Sequence, residues 1–416
     1  MQNPFRYIFT ILFIVLIHST IQAQYVGAGS SSYSYLDLPA SARTMALGGS
    51  VVAVSSHDLG GALYNPALLS AETHMVLQAS YTYLMPGSMY GSALYGHTFG
   101  SSSSKYGDEK PNRLMVGVQF VSNGKLYEAT EQGYLTGAEY NLSDVAIYAS
   151  YARQLGRMFR VGVTLKPIVS SYAGYTSFAL GADIGGHFQT RDSALQVGVS
   201  LQNIGWQLRT YYPEQDREKL PLNLQVGLSY RVPKVPIRLG LTIHNLQSPR
   251  LDYDYTNRYT PELSEERESG HIGTADMIFR HTIWYVDVCP QSEKWWVTLS
   301  YNHRRRQECK LTDQKSIAGF ALGAGVNIHG VRAGVAATQL VRNYFNISFT
   351  LGVRIDQLLT YSKDVRARKQ KTATLSDEER ARQKAEQKAK RDEERARRRA
   401  ESERRQEEIT RKLQGL

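Results

Sequence analysis

The chain has 416 residues, with 49 Lys and Arg against 38 Asp and Glu for a formal charge of +11, and it carries two cysteines, 34 glycines and 27 tyrosines. A chain this long ordinarily divides into two or three soluble domains, yet no linker rich in Pro, Gly and Ser interrupts its centre. Beyond its first residues it also has no apolar run near the ~20 residues a spanning helix needs, so any membrane crossing must be made by strands.

The N-terminus carries Arg6, an apolar run from Ile8 to Ile17 and a polar stretch ending at Ala23. That order reads as an export signal, residues 1–23, cut after Ala23. No Cys follows the cut, so a lipid anchor is not indicated. Residues 24–73 are too apolar and Gly-rich for a solvated linker, as the runs Tyr33 to Gly49 and Tyr64 to Leu69 illustrate. They are expected to plug whatever barrel follows, the other reading being a periplasmic lead-in. Asn65 and Pro66 signal a turn or helix start, since Pro fixes φ and suits the first helical position. With Gly48 and Gly49 they are the candidate plug residues.

From residue 74 to 359 the sequence alternates. Phe345, Ile347, Phe349, Leu351, Val353 and Ile355 interleave with Asn346, Ser348, Thr350, Gly352 and Arg354, which gives a strand one apolar face and one polar face. Fourteen such runs are predicted: 75–84, 89–99, 113–122, 140–154, 159–170, 175–189, 194–206, 221–232, 237–246, 275–288, 295–304, 317–328, 331–340 and 344–356. In a soluble sandwich or adhesin the apolar faces would fill a core; in a many-stranded barrel they face lipid and the polar set lines the lumen. The expected fold is all-β, a transmembrane antiparallel β-barrel of about 14 strands with an N-terminal plug segment and a C-terminal charged helical tail. Connections alternate between short ones (156–158, 190–193, 233–236, 289–294, 329–330) and long ones (123–139, 207–220, 247–274), as periplasmic turns and external loops do. The connection 100–112 breaks the pattern. Arg is expected to be rejected at Phe349 and accepted at its lumen-facing neighbour Thr350.

Cys289 and Cys309 flank a predicted strand whose far end lies ~45 Å away at ~3.3 Å per residue, too far for a disulfide, so two thiols are expected. Ser102 and Lys105 have the spacing of a serine-enzyme motif, but no Ser-Asp-Asn or Lys-Thr-Gly follows. The ten histidines include no pair at metal-ligand spacing on a predicted helix, so neither catalysis, a cofactor nor a metal is expected. His303, Arg304, Arg305 and Arg306 form a basic cluster at the external rim, read either as an anion contact, for instance to lipopolysaccharide phosphate, or as a solvated strand end. Tyr127, Tyr134, Tyr211, Tyr212, Tyr253, Tyr255 and Tyr259 lie in the long loops, and aromatic side chains of this kind anchor protein interfaces.

Residues 360–416 are a basic, charged segment, expected to be helical and periplasmic. From Lys363 to Leu416 there are nineteen Lys or Arg and twelve Asp or Glu, so this segment supplies +7 of the +11. Ser376 followed by Asp377, Glu378 and Glu379 is a helix-start pattern. Ala381, Ala385, Ala389, Ala396 and Ala400 make a stripe too thin for a coiled-coil seam. At 1.5 Å per residue the helix would reach ~58 Å. It reads as a solvated helix or as a tether for an anionic periplasmic partner; nucleic acid is disfavoured by export.

Ala42 to Gly49, followed by Asn65 to Leu69 just before the first strand, resembles the N-terminal hatch of the FadL-like group of outer-membrane barrels. Within that group the sequence is most similar to the PorQ family of the type IX secretion system, on Tyr33 to Gly49, Asn203 to Tyr212, Leu220 to Val232, His244 to Gln247 and Tyr301 to Glu308. The resemblance implies an outer-membrane barrel without catalysis that anchors surface attachment proteins, among them a sortase-like peptidase and a partner barrel that shuttles cargo. The loops 123–139, 207–220 and 247–274 would then be the docking surface. A FadL-like channel for hydrophobic solutes is the competing function.

Overall fold

Fourteen antiparallel strands close on themselves: β1 (Val76–Met85), β2 (Ser88–Phe99), β3 (Asn112–Ala129), β4 (Leu135–Gln154), β5 (Phe159–Tyr172), β6 (Tyr175–Gln189), β7 (Leu195–Arg209), β8 (Asn223–Arg231), β9 (Ile237–Ile243), β10 (Thr282–Val288), β11 (Trp295–Asn302), β12 (Phe320–Ile328), β13 (Val331–Val341) and β14 (Tyr344–Arg354). Each pairs with its neighbours in sequence, and β1 closes the ring against β14 with Tyr81 opposite Phe349. This is a computed structural model; it describes residues 32–99, 111–251, 273–309, 317–341, 344–373 and 377–415. The export signal, Ser102, Lys105, Tyr253, Tyr255, Tyr259 and Ser376 lie outside the described residues.

Period-two alternation sets the facing of the strands, with β7 switching faces at a bulge where Asn203 takes a positive φ, so that Gln202 and Gln207 both point inward. On β14 Phe345, Phe349 and Leu351 are exposed on the outer surface, while Asn346 and Ser348 are wholly buried inside. β8 repeats this: Leu228 and Tyr230 face out, Gln225 and Ser229 face in. Aliphatic side chains such as Val163, Leu165, Leu239 and Leu299 form the middle of the outer surface. Tyr83, Trp206, Trp284, Phe320 and Phe345 ring one end, and Phe99, Tyr151, Phe159, Tyr230 and Trp295 the other. Two aromatic girdles around an aliphatic band are the surface of a barrel that sits in lipid. The first and last strands begin and end at one rim, where Val76 pairs with Arg354, so both barrel ends emerge on the side taken as periplasmic.

Three predicted elements differ. The loop 123–139 is mostly strand, because β3 and β4 keep pairing through Ala129 and Leu135. Residues 275–280 and 303–304 are not strand: they belong to two short helices, α2 (Thr274–Arg280, with His281 as its C-cap) and α3 (His303–Glu308), that cap the external ends of β10 and β11. Asn302 begins α3 by accepting the Arg305 amide on its side chain, an N-cap that ends the strand. Cys289 and Cys309 are both buried thiols.

Residues 356–416 form a separate unit. It consists of helices α4 (Ile355–Ala373) and α5 (Asp377–Gln414): the second begins directly after Ser376, and the first, which follows β14, adds a helix ahead of that start. Glu386 and Lys390, and Glu394 and Arg398, pair across one turn at 2.8 and 2.7 Å in full exposure. Such exposed pairs contribute little each, and the exposed Ala385, Ala389, Ala396 and Ala400 bury nothing, so local pairing and propensity hold this helix.

The outward set is tested at Phe349. Phe349→Arg places a charge in the hydrocarbon band at a cost of ~2–4 kcal/mol and is expected to prevent heat-modifiable assembly, whereas Phe349→Leu assembles. Equal behaviour of the two variants would mean that Phe349 does not face lipid.

Candidate functional site

The lumen holds residues 33–73. A short helix, α1 (Ala42–Ala46), starts at Ser41, whose side chain accepts the Thr44 amide while Thr44 accepts the Ser41 amide. It stops at Gly48 and Gly49, both at positive φ, with Gly48 N–H donating to Met45 and Gly49 N–H to Thr44, each at 3.0 Å. That is a Schellman stop, which β-carbon-bearing residues fit poorly, and a side chain at Gly48 would also strike Ile283 on the wall. Asn65 caps a 3-10 turn over Pro66–Leu68 by accepting the Ala67 amide at 3.0 Å. Its Nδ2 donates to Val52 O at 2.8 Å and to Gly186 O on β6 at 3.1 Å. Gly162, Gly185 and Gly198 stand where the segment passes, because a Cβ at any of them would meet Pro66, Asn65 or Val52.

Polar groups of the wall hold the segment on nearly every side. Ser92 donates to Ala40 O at 2.7 Å, the Ala42 amide donates to Thr350 Oγ1 at 2.8 Å, Ser200 donates to Tyr64 O at 2.5 Å, and Gln202 donates to the same carbonyl. Thr350 is therefore not an open lumen position, and the expectation that it accepts Arg is corrected: the inner face is occupied. Tyr33, Met45, Leu59, Leu63 and Tyr64 pack with Tyr90, Leu94, Met115, Tyr148 and Ile168 in one apolar cluster, so the lumen has a dry core.

One buried ion network fixes the segment to β9–β11. Arg43 donates both Nη atoms to the Asp287 carboxylate at 2.8 and 2.7 Å and Nη1 also to Thr298 at 2.7 Å, and its guanidinium lies 4.5 Å from the Trp296 ring centre. Burial disfavours the Arg43 charge, but Asp287 outweighs it and holds the pKa above the usual value. Arg238 sits 3.5 Å from Asp287 and donates to Glu293 at 2.9 Å, and His57 lies 3.8 Å from Glu293 and 3.1 Å from Glu72. Burial alone would raise Glu293, in the β10–β11 turn; Arg238 beside it holds it below the carboxylate range instead.

On the external side of α1 a cavity of about 340 Å³ remains, lined by Tyr35, Asp37, Leu38, Met45, Leu84, His244, Asn245, Arg304, Arg305 and Glu308 among others. Helix α3 supplies its basic edge. Arg304 donates to Glu308 at 2.6 Å, Arg305 is 3.5 Å from the same carboxylate, and His303 is bound to Asp276 at 2.7 Å and to Tyr301 at 2.9 Å. The predicted basic rim is thus part-buried and charge-paired, with Arg304 and Arg305 lining the lumen mouth. Burial raises Asp37, against the pull of Arg304 and Arg305. Tyr212 is exposed with its ring 4.3 Å from Tyr175, while Tyr211 is half-buried on the inner side, near Tyr33. The sequence did not single out Arg43, Asp287, Arg238 and Glu293, although charged residues at inward positions of strands are the signal that finds two of them, Arg238 on β9 and Asp287 on β10.

The closed ring, the lipid-facing girdles and the filled polar interior define an outer-membrane β-barrel. No family model and no curated protein matches the sequence. Among solved structures the chain is similar to the Pseudomonas putida toluene transporter TodX, at 10% identity and TM-score 0.45, over 77% of this chain and 99% of that one. The Ralstonia pickettii toluene transporter TbuX gives the same values, and the KdgM porin 7% and 0.27, over 67% and 98%. Likeness of that degree is weak, and the class rests on the barrel's own geometry.

Arg43→Ala leaves the Asp287 carboxylate buried without its main partner and is expected to destabilise the barrel by ~3–5 kcal/mol, read by urea unfolding in detergent, while Arg43→Met with Asp287→Leu recovers most of the loss. No loss in the single variant would show that the network does not hold the segment. Because Glu293 is depressed when folded, its contribution is complete above the unfolded value of ~4.3 and disappears as pH falls through the folded one. Glu293→Gln is therefore expected to flatten the acid limb of the stability profile, and an unchanged limb would count against the pairing with Arg238.

Proposed function

We propose that this barrel is a non-conducting anchor of the type IX secretion system, of the PorQ kind, which holds attachment proteins at the cell surface through its external crown. The observation that carries the reading is the lumen segment, tied to the wall by Arg43–Asp287 and by hydrogen bonds with β2, β6, β7 and β14. A solute path would require those bonds to open together. The similarity of Tyr33 to Gly49, Leu220 to Val232 and Tyr301 to Glu308 to that family supports the same function, and the crown offers Tyr127, Tyr134, Leu135 and Tyr212 in exposed positions. The barrel performs no chemistry in this reading; outer-membrane lipid surrounds it, and the basic α5 tethers it to an anionic periplasmic partner.

A second reading, a channel for hydrophobic solutes, draws on the apolar part of the cavity lining, Tyr35, Leu38, Met45 and Leu84. Asp37, Arg304, Arg305 and Glu308 in the same lining favour the anchor. The protein purified from detergent-solubilised outer membrane is expected to bring surface attachment proteins with it and to give no conductance above background in planar bilayers. Bound fatty acid, or toluene uptake into proteoliposomes, without any co-purifying surface protein would support the channel instead.

A further inference from the structure

Beyond the external rim, β3 and β4 continue without neighbours. β2 last pairs with β3 at Met89 and Ser122, and β5 last pairs with β4 at Tyr172 and Leu142. β3 and β4 nevertheless go on pairing through Lys125 with Asn141, Tyr127 with Glu139, and Ala129 with Leu135. About seven residues of each strand therefore project as a two-stranded ribbon, roughly 20 Å at 3.3 Å per residue. Three of its apolar side chains lie in water, with Tyr127, Tyr134 and Leu135 exposed by 59, 75 and 70%.

Two strands alone are marginally stable in water, and a third strand or a packed face is what stabilises them. Among its described side chains the ribbon has no packed face, and each of its edges carries backbone groups turned away from the partner strand. The register shifts twice: once before residues 125–129, between Ser122 and Lys125 with Gly124 of β3 at positive φ, and once where Tyr127 to Ala129 oppose the longer stretch from Leu135 to Glu139, with Gly137 of β4 at positive φ. The β3 edge over residues 125–129 lacks a residue at positive φ and is the more regular template. Charge selects what binds there. Residues 123–141 contain Lys125 against Glu128, Glu131 and Glu139, a net of one minus three, or −2, and Lys125 is already paired with Glu139.

We propose that residues 125–129 of β3 accept an extended segment of a partner protein as a third strand, and that this segment carries basic residues at alternate positions. Backbone hydrogen bonds supply affinity in strand addition and the alternate side chains supply selectivity. The proposal rests on the reading of the crown as a docking surface and names its mode.

The test uses the full-length protein in detergent, with a short synthetic peptide of alternating Lys and Val as probe and one of alternating Glu and Val as control. At a concentration about ten times its dissociation constant, the Lys peptide is expected to slow amide exchange of residues 125–129 about tenfold. The Glu peptide is expected to have no effect, and Glu128→Lys with Glu131→Lys should reverse the preference. No slowing, equal slowing by both peptides, or the same preference in the charge-reversed variant overturns the proposal. Should attachment proteins co-purify while these amides stay unprotected, strand addition fails and docking stands; protection without co-purification sinks the anchor reading instead.

Discussion

Hydrocarbon offers no hydrogen bonds, and the rest of this structure depends on that. A sheet placed in lipid must pair every backbone N–H and C=O group within itself, which an open edge cannot do, so the sheet closes. Closure of β1 on β14 meets the requirement, and it forces the apolar half of each strand outward and the polar half inward. The reversal of the usual arrangement, with Leu and Phe outside and Asn, Gln and Ser inside, follows from the solvent and from nothing else in the sequence.

Closing fourteen strands creates an interior that the wall's own side chains do not fill. The chain fills it with residues 33–73. An apolar cluster around Tyr33, Met45 and Tyr64 gives that filling its dry centre, while wall hydroxyls and amides satisfy the backbone of a segment that has little regular structure of its own. Arg43 and Asp287 add direction rather than net stability. A buried ion pair gains little over a well-packed apolar pair, but either partner alone is costly, so the segment has one position in which both charges are satisfied. The same logic explains the inward glycines at 162, 185 and 198: the wall thins where the segment passes.

The fourteen strands were legible because a lipid-facing strand writes its alternation over many residues, as Phe345 to Ile355 does, and a bulge such as the one at Asn203 shifts its phase without erasing it. The ends were less legible, since capping at Asn302 and continued pairing of β3 with β4 depend on neighbours that a single run of sequence does not reveal. Within the lumen, Asn65 and Pro66 announce a helix start, which is a local signal; Gly48 and Gly49 read in the sequence only as plug residues, and their role as the stop of α1 comes from the structure. What the sequence hid is long-range. Arg43 and Asp287 are 244 positions apart, and nothing in either neighbourhood says that they meet. Thr350 reads as an ordinary lumen residue until the Ala42 amide is seen to donate to it.

The most direct test of the account is a spin-label scan of β14 in liposomes, one label at a time from residue 345 to 354, with Cys289 and Cys309 replaced by Ala. Labels at 345, 347, 349, 351 and 353 are predicted to be relaxed by dissolved oxygen, which concentrates in hydrocarbon, and shielded from a water-soluble nickel chelate; the even positions are predicted to be shielded from both. Chelate access at the odd positions, or no period of two along the strand, would contradict a barrel whose apolar face lies in lipid.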